Sequence, residues 1–270
     1  MNWKFVFIPV LYLLISKMGW ACSTIYCYND EGVCQGGLRN LKTAILWSND
    51  QNYLLEDINA ENIIQGDWKS TAKCLIIPGG ADLPYCKKLN GKGNQQIKDY
   101  VENGGVYIGF CAGGYYGGNF VDFDRGGDLE VLGERELAFF PGSVCGPILA
   151  PYVYNSDEGA RIADVSWVDS NLYNVYFNGG GYFVDAHQYH NVTVLAKYTN
   201  SEFEQAAIVE CYVGQGKAIL TGIHPEYSAE SLEVEIQEKK PGWKNLEENI
   251  VPKLLNRSHI KLFKEIIGRI

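Results

Sequence analysis

Gly109-Phe110-Cys111-Ala112-Gly113-Gly114 is the stretch from which the rest of the chain can be read. It follows the β-prone run Gly105-Val106-Tyr107-Ile108, and small residues stand on both sides of the cysteine. That composition suits a buried strand turning sharply into a helix, with the reactive atom exposed at a turn where only small neighbours fit. A helix N-terminus beneath the sulfur would favour the thiolate, the nucleophilic form of cysteine. Far downstream, Gly222-Ile223-His224-Pro225-Glu226 offers an imidazole to activate the thiol and a carboxylate two residues on to orient the imidazole.

Upstream of Gly109, strand and helix signals alternate. Residues 24–28 alternate β-formers and run into the turn Asn29-Asp30-Glu31-Gly32. Leu38, Leu41, Ile45 and Leu46 recur at helical spacing. Tyr53-Leu54-Leu55 suits a short second strand, and residues 60–65 a short helix closed by Gly66. Cys74-Leu75-Ile76-Ile77 is the continuous apolar run of a parallel strand buried on both faces, and it ends in Pro78-Gly79-Gly80. Residues 94–102 carry a helical pattern that stops at Asn103-Gly104-Gly105. This order predicts an α/β fold with βαβ units and a doubly wound, flavodoxin-like, mainly parallel sheet.

Beyond Tyr116 the character changes. Short β-rich pieces at 137–140, 173–177 and 182–184 alternate with Gly, Pro and Asn turns, which predicts β-hairpins inserted at the sheet edge. Residues 192–196, 206–213 and 217–221 read as further strands, the last two joined by Gly214-Gln215-Gly216. His224 therefore falls just past the C-terminal end of a strand, where open α/β sheets place their sites. Residues 246–267 are apolar at helical spacing and are expected to pack back on the sheet. A single domain over 22–270 is the economical division.

The N-terminus reads as a leader. Lys4, the apolar run 5–15 and the small residues Gly19 and Ala21 make the three parts of a secretory signal peptide over 1–21, too short an apolar run to span a membrane. The expected location is secreted or periplasmic. Cys22, directly after Ala21, raises a lipoprotein anchor, although Trp20 suits that motif poorly. The formal net charge of −9 becomes −11 once Lys4 and Lys17 are removed, leaving 21 basic against 32 acidic residues. Such a surface repels phosphate backbones, so no nucleic-acid partner is expected. Of the eight cysteines, setting aside Cys111 and Cys22 leaves Cys27, Cys34, Cys74, Cys86, Cys145 and Cys211, which an exported chain would be expected to pair in part. No Cys-x-x-Cys occurs and only His187, His190, His224 and His259 are present, so neither a zinc site nor another metal or cofactor is expected. His187 and His190 read as surface or hydrogen-bonded histidines rather than catalytic ones.

In acyl transfer Cys111 would attack a carbonyl while His224 takes and returns the proton, held in the right tautomer by Glu226. Two preorganised N–H donors would hold the oxyanion. Ala112 at the helix start supplies one candidate, and Gly79 and Gly80 supply the other from a turn whose missing side chains allow close approach. Asp82, Tyr115, Asn178 and Gly179 are the candidates for contact with a small-molecule amide substrate.

The elbow, the Pro-Gly-Gly turn and His224-Pro225-Glu226 resemble the class I glutamine amidotransferase fold. More closely, Asn29-Asp30-Glu31-Gly32-Val33, Pro78-Gly79-Gly80-Ala81-Asp82-Leu83-Pro84-Tyr85, the elbow with Tyr115, and Asn178-Gly179-Gly180-Gly181 resemble the amidotransferase-like N-terminal domain of eukaryotic-type biotin–protein ligases. The resemblance covers nearly all of 22–270 and implies the fold, not the ligase reaction, because the ligase's catalytic domain is absent from this sequence. Glutaminases of the fold carry a glutamine four residues past the nucleophile, where this chain has Tyr115. That departure puts glutamine in doubt as the substrate, and the expected activity is a cysteine hydrolase or amidase acting on a small amide, such as a γ-glutamyl or related amino-acid derivative. The alternatives are a binding or regulatory module without turnover, and an amidotransferase subunit with a separate partner, which export disfavours.

Overall fold

The computed structural model describes residues 23–48, 53–149, 151–201, 203–238 and 243–270. The expected leader and Cys22 lie outside them. The first half runs β1 (Thr24–Tyr28), α1 (Gln35–Ser48), β2 (Leu54–Ile58), α2 (Ala60–Gln65), β3 (Ala72–Ile77), α3 (Asp82–Leu89), α4 (Lys92–Glu102), β4 (Val106–Phe110) and α5 (Ala112–Tyr116). Nine strands follow: β5 (Gly118–Phe123), β6 (Val131–Glu134), β7 (Phe140–Gly146), β8 (Arg161–Trp167), β9 (Leu172–Phe177), β10 (Tyr182–Phe183), β11 (Val192–Tyr198), β12 (Ala206–Val213) and β13 (Gly216–Thr221). Helices α6 (Ala229–Glu238), α7 (Val251–Leu254) and α8 (Ser258–Ile267) close the chain.

The strands form one mixed sheet in the order β2-β1-β3-β4-β13-β12-β10-β7-β5-β6, with β11, β8 and β9 branching from β12. The first five are parallel, with Leu75 opposite Tyr107 and Ile108 opposite Ile219. The rest is largely antiparallel, as the hairpin expectation requires. β4 is buried along its whole length because helices cover both faces. On one side Leu38, Leu41 and Ile45 of α1 pack with Leu262, Phe263 and Ile266 of α8. On the other, Tyr85, Leu89, Ile97 and Val101 of α3 and α4 fill the second layer. Two apolar faces per strand explain the unbroken apolar runs at 74–77 and 106–108.

The structure departs from the sequence reading in three places. Helix α3 forms directly after the glycine turn, in a stretch the sequence leaves unassigned. Pro84 stands in its first turn, where no amide is needed from it. The expected strand at 137–140 starts only at Phe140, because Ala138 takes φ 47° and interrupts the extended run. The third concerns the thiols: Cys27, Cys34, Cys74, Cys86, Cys145 and Cys211 are all free, so the expected disulfides are not formed. Cys27 and Cys74 lie on neighbouring strands but are staggered by two residues, Cys27 facing Ile76 and Cys74 facing Ile25. Burial pushes the Cys27 thiol up to about 12 and holds Cys74 well above its ordinary value, so both serve as small apolar core groups. No helix among the described residues is long and apolar enough to cross a membrane.

Candidate active site

The C-terminal ends of β3, β4 and β13 lie side by side, and Cys111 stands where β4 gives way to α5. Its backbone is at φ 48° and ψ −104°, a conformation costly for any residue with a side chain. The Cys111 amide donates to the Thr221 carbonyl at 2.8 Å, which fixes the turn to β13. The neighbouring glycines have steric reasons. A Cβ on Gly113 would run into the Ile77 carbonyl, one on Gly109 into the Gly113 carbonyl, and one on Gly114 would stand 2.6 Å from the Thr221 oxygen. The elbow is as the sequence predicts.

His224 arrives from the turn after β13. The Thr221 hydroxyl accepts from the Ile223 amide at 3.1 Å, and the His224 amide donates to the Tyr176 carbonyl at 3.0 Å. Its Nδ1 lies 2.7 Å from Glu226 Oε1, with both side chains almost wholly buried. The ring and Cys111 both stand against Gly79, near enough for their charges to interact. Burial alone would depress the imidazole's pKa, but Glu226 and Cys111 outweigh it and hold the value well above that of an ordinary histidine. Tyr227 meets the ring edge-on at 5.3 Å between centroids, which further limits its rotation.

The glycine turn reaches the same place. A Cβ on Gly79 would stand 2.9 Å from His224 Cε1 and 3.6 Å from Cys111 Cβ, so this residue touches both members of the pair. Gly80 sits at φ 151°, and any side chain there would strike the Gly32 carbonyl. The turn is tied down by Cys34 N–H to Gly79 O at 3.0 Å, Ala81 N–H to Gly32 O at 2.9 Å, and the Tyr85 hydroxyl near the carbonyls of Pro78 and Gly79. Those bonds leave the Gly80 N–H without an acceptor among the described residues. Ala112 opens α5, so its N–H has no acceptor within the helix either.

A cavity of about 640 Å³ opens over these groups. Gly79, Gly80, Asp82, Cys111, Ala112, Tyr115, Asn178, Gly179 and His224 all line it, while Glu226 stands behind His224. The structure gives several of them specific tasks. Tyr115 donates its hydroxyl to the Gly179 carbonyl at 3.2 Å, so it props the 178–181 loop. That loop is glycine-rich because it crosses the turn after β13 backbone to backbone: a Cβ on Gly180 would overlap the Gly222 carbonyl. Asn178 donates to Ser156 O at 3.4 Å and keeps its side-chain oxygen buried without a partner. Asp82, buried, takes the Arg135 Nε at 2.8 Å on Oδ2, with Nη2 2.7 Å from the same oxygen. Burial raises the Asp82 pKa, and Arg135 only partly offsets this.

Several lining residues escape a sequence reading. Cys34, Phe123, Tyr152, Tyr154, Tyr176 and Tyr227 come from separate loops and strands that only the fold brings together. Arg135 pairs with Asp82 across 53 residues and carries no motif. His187 and His190 are exposed and away from the cavity, as expected. Among the described residues no group of His, Cys, Asp and Glu is arranged to hold a metal.

Residues 23–269 match the family described as biotin-protein ligase, N terminal. A biotin–protein ligase of Schizosaccharomyces pombe is 42% identical over 184 residues, which is 66% of this chain but 29% of that protein. This chain thus spans less than a third of that relative's length. An uncharacterized protein of Chlamydia muridarum is 35% identical over 214 residues, 76% of this chain and 81% of that one. Among solved structures, a glutamine amidotransferase superposes with a TM-score of 0.53 at 18% identity, over 79% of this chain and 97% of its own. A glutamine amidotransferase of Thermotoga maritima gives 0.51 at 13% identity, over 91% and 95%. At these identities the likeness is one of fold: class I glutamine amidotransferase-like.

Proposed function

The chain belongs to the biotin–protein ligase N-terminal family, and from that premise we propose that it is a cysteine hydrolase of amidase type acting on a small amide. The observation that carries this reading is the strained elbow holding Cys111 beside His224, whose Nδ1 lies 2.7 Å from Glu226. In the reaction the Cys111 sulfur bonds to the amide carbon as His224 receives the thiol proton. Glu226 stabilises the imidazolium. The N–H groups of Ala112 and of the Gly79–Gly80 turn would hold the oxyanion. The C–N bond then breaks, His224 protonates the departing amine, and water releases the acyl group from the thioester.

Labelling the purified protein with an electrophilic carbonyl probe, and locating the adduct by peptide mass spectrometry, tests this directly. The expected adduct is on Cys111, lost in Cys111→Ser and strongly slowed in His224→Ala. A second reading, a binding or regulatory module, draws on Tyr115: its hydroxyl is engaged with Gly179 at the position where the glutaminases keep a glutamine. Absence of a Cys111 adduct would favour it. Export belongs to the same proposal, supported by the pattern at Lys4, 5–15 and Ala21. N-terminal sequencing that finds the leader still attached to the active protein would remove it.

A further inference from the structure

Charge decides which amides can enter the cavity. No lysine or arginine lines it among the described residues. Arg135, which reaches a lining residue through Asp82, is buried and engaged: it bonds Asp82 and donates to the carbonyls of Gly133 and Glu134 at 3.0 Å. Its charge and that of Asp82 cancel. His224, the group at the wall that can take up a positive charge, is paired with Glu226 at 2.7 Å. Glu226 is a carboxylate whose side chain is 2% exposed and whose Oε2 has no hydrogen-bond partner. Each positive group at the site is thus matched by a buried carboxylate, and none is left over to receive an anion. Much of the remaining wall is apolar or aromatic, including Phe123, Leu129, Val131 and Tyr152. A ligand carboxylate placed there would lose its water and find no unpaired cation to replace it.

Resting on the hydrolase reading of the same site, we infer that the cavity selects amides without negative charge. The acceptable class is neutral or cationic, with an apolar or aromatic group against Phe123 and Tyr152. Carboxylate-bearing amides, free glutamine among them, are excluded.

The test needs no substrate. Three methanethiosulfonate reagents of similar reach, one neutral, one aminoethyl cation and one sulfonatoethyl anion, each form a mixed disulfide and release sulfinate. Their rates at Cys111 are read by peptide mass spectrometry and divided by their rates with 2-mercaptoethanol at the same pH. The expected cation-to-anion ratio is about ten or more, the scale of one unit charge at partly desolvated range. Tyr154 is 60% exposed at the rim, so Tyr154→Lys should cut the ratio several-fold where Tyr154→Gln does not. A ratio of one or less overturns the charge inference and leaves the hydrolase reading standing. So does a ratio that Tyr154→Lys leaves unchanged. No labelling of Cys111 by any of the three overturns the hydrolase reading itself, and this inference with it.

Discussion

Cys111 is held at φ 48° and ψ −104° by the strand ends around it, and that strain is itself measurable. Cys111→Gly removes the Cβ that makes the conformation costly, while Cys111→Ala keeps it. Glycine should therefore be the more stable variant by about 1 kcal/mol in urea denaturation, reversing the usual order of these two residues. Alanine equal or better would mean the turn is unstrained. His224 gives a second expectation, this time in pH. Its folded pKa is raised, because Glu226 and Cys111 outweigh burial. The stability it contributes is complete below the unfolded value of about 6.5 and is lost as pH rises through the raised folded value. Glu226→Gln should thus destabilise the protein most near pH 6 and progressively less toward alkaline pH. A cost that does not change with pH would show that the pair is not an ion pair.

Elements differ in what their glycines do, and two substitutions separate fold from chemistry. Gly113 lies with no room against the Ile77 carbonyl, which is backbone and cannot step aside. Gly113→Ala should cost about 3 kcal/mol or more by chemical denaturation. Gly79→Ala meets only the edge of the His224 ring at 2.9 Å, and a ring can shift. It should change stability by less than about 1 kcal/mol, yet slow Cys111 labelling by roughly tenfold through displacement of the imidazole. Equal effects of the two on stability would contradict this division. The elbow was legible because its chemistry is local: a β-run, small residues and a cysteine must be consecutive. Helix α3 was not, because Pro84 in its first turn resembles a breaker when only sequence is in view. The glycines of 178–181 were legible as a turn but not as a crossing, since Gly222 is 42 residues from Gly180.

Across the whole molecule, the parallel half could be read in chain order, because each βαβ unit places the next strand beside or near the last. The antiparallel extension could not: β12, β10, β7 and β5 are neighbours in an order no local signal carries. Asp82 and Arg135 join the two halves, one at the start of α3 and the other just after β6. Arg135→Met would leave Asp82 buried without its partner, a loss of about 3–5 kcal/mol at neutral pH for a pair this enclosed. The pH dependence follows from the direction of the Asp82 shift. Burial already raises its folded pKa despite Arg135, so removing Arg135 raises it further. In the variant the folded state therefore takes up a proton at higher pH than the wild type does. The penalty should shrink as pH falls through that raised value toward the unfolded carboxylate's value of about 4, where Asp82 is neutral in both proteins. Combining Arg135→Met with Asp82→Leu should recover most of the loss at neutral pH, because no uncompensated charge then remains in the interior. Urea titrations of wild type, single and double variants at several pH values decide the matter. A penalty under about 1 kcal/mol, or one that stays constant between neutral and acid pH, would mean that this pair does not hold the halves together.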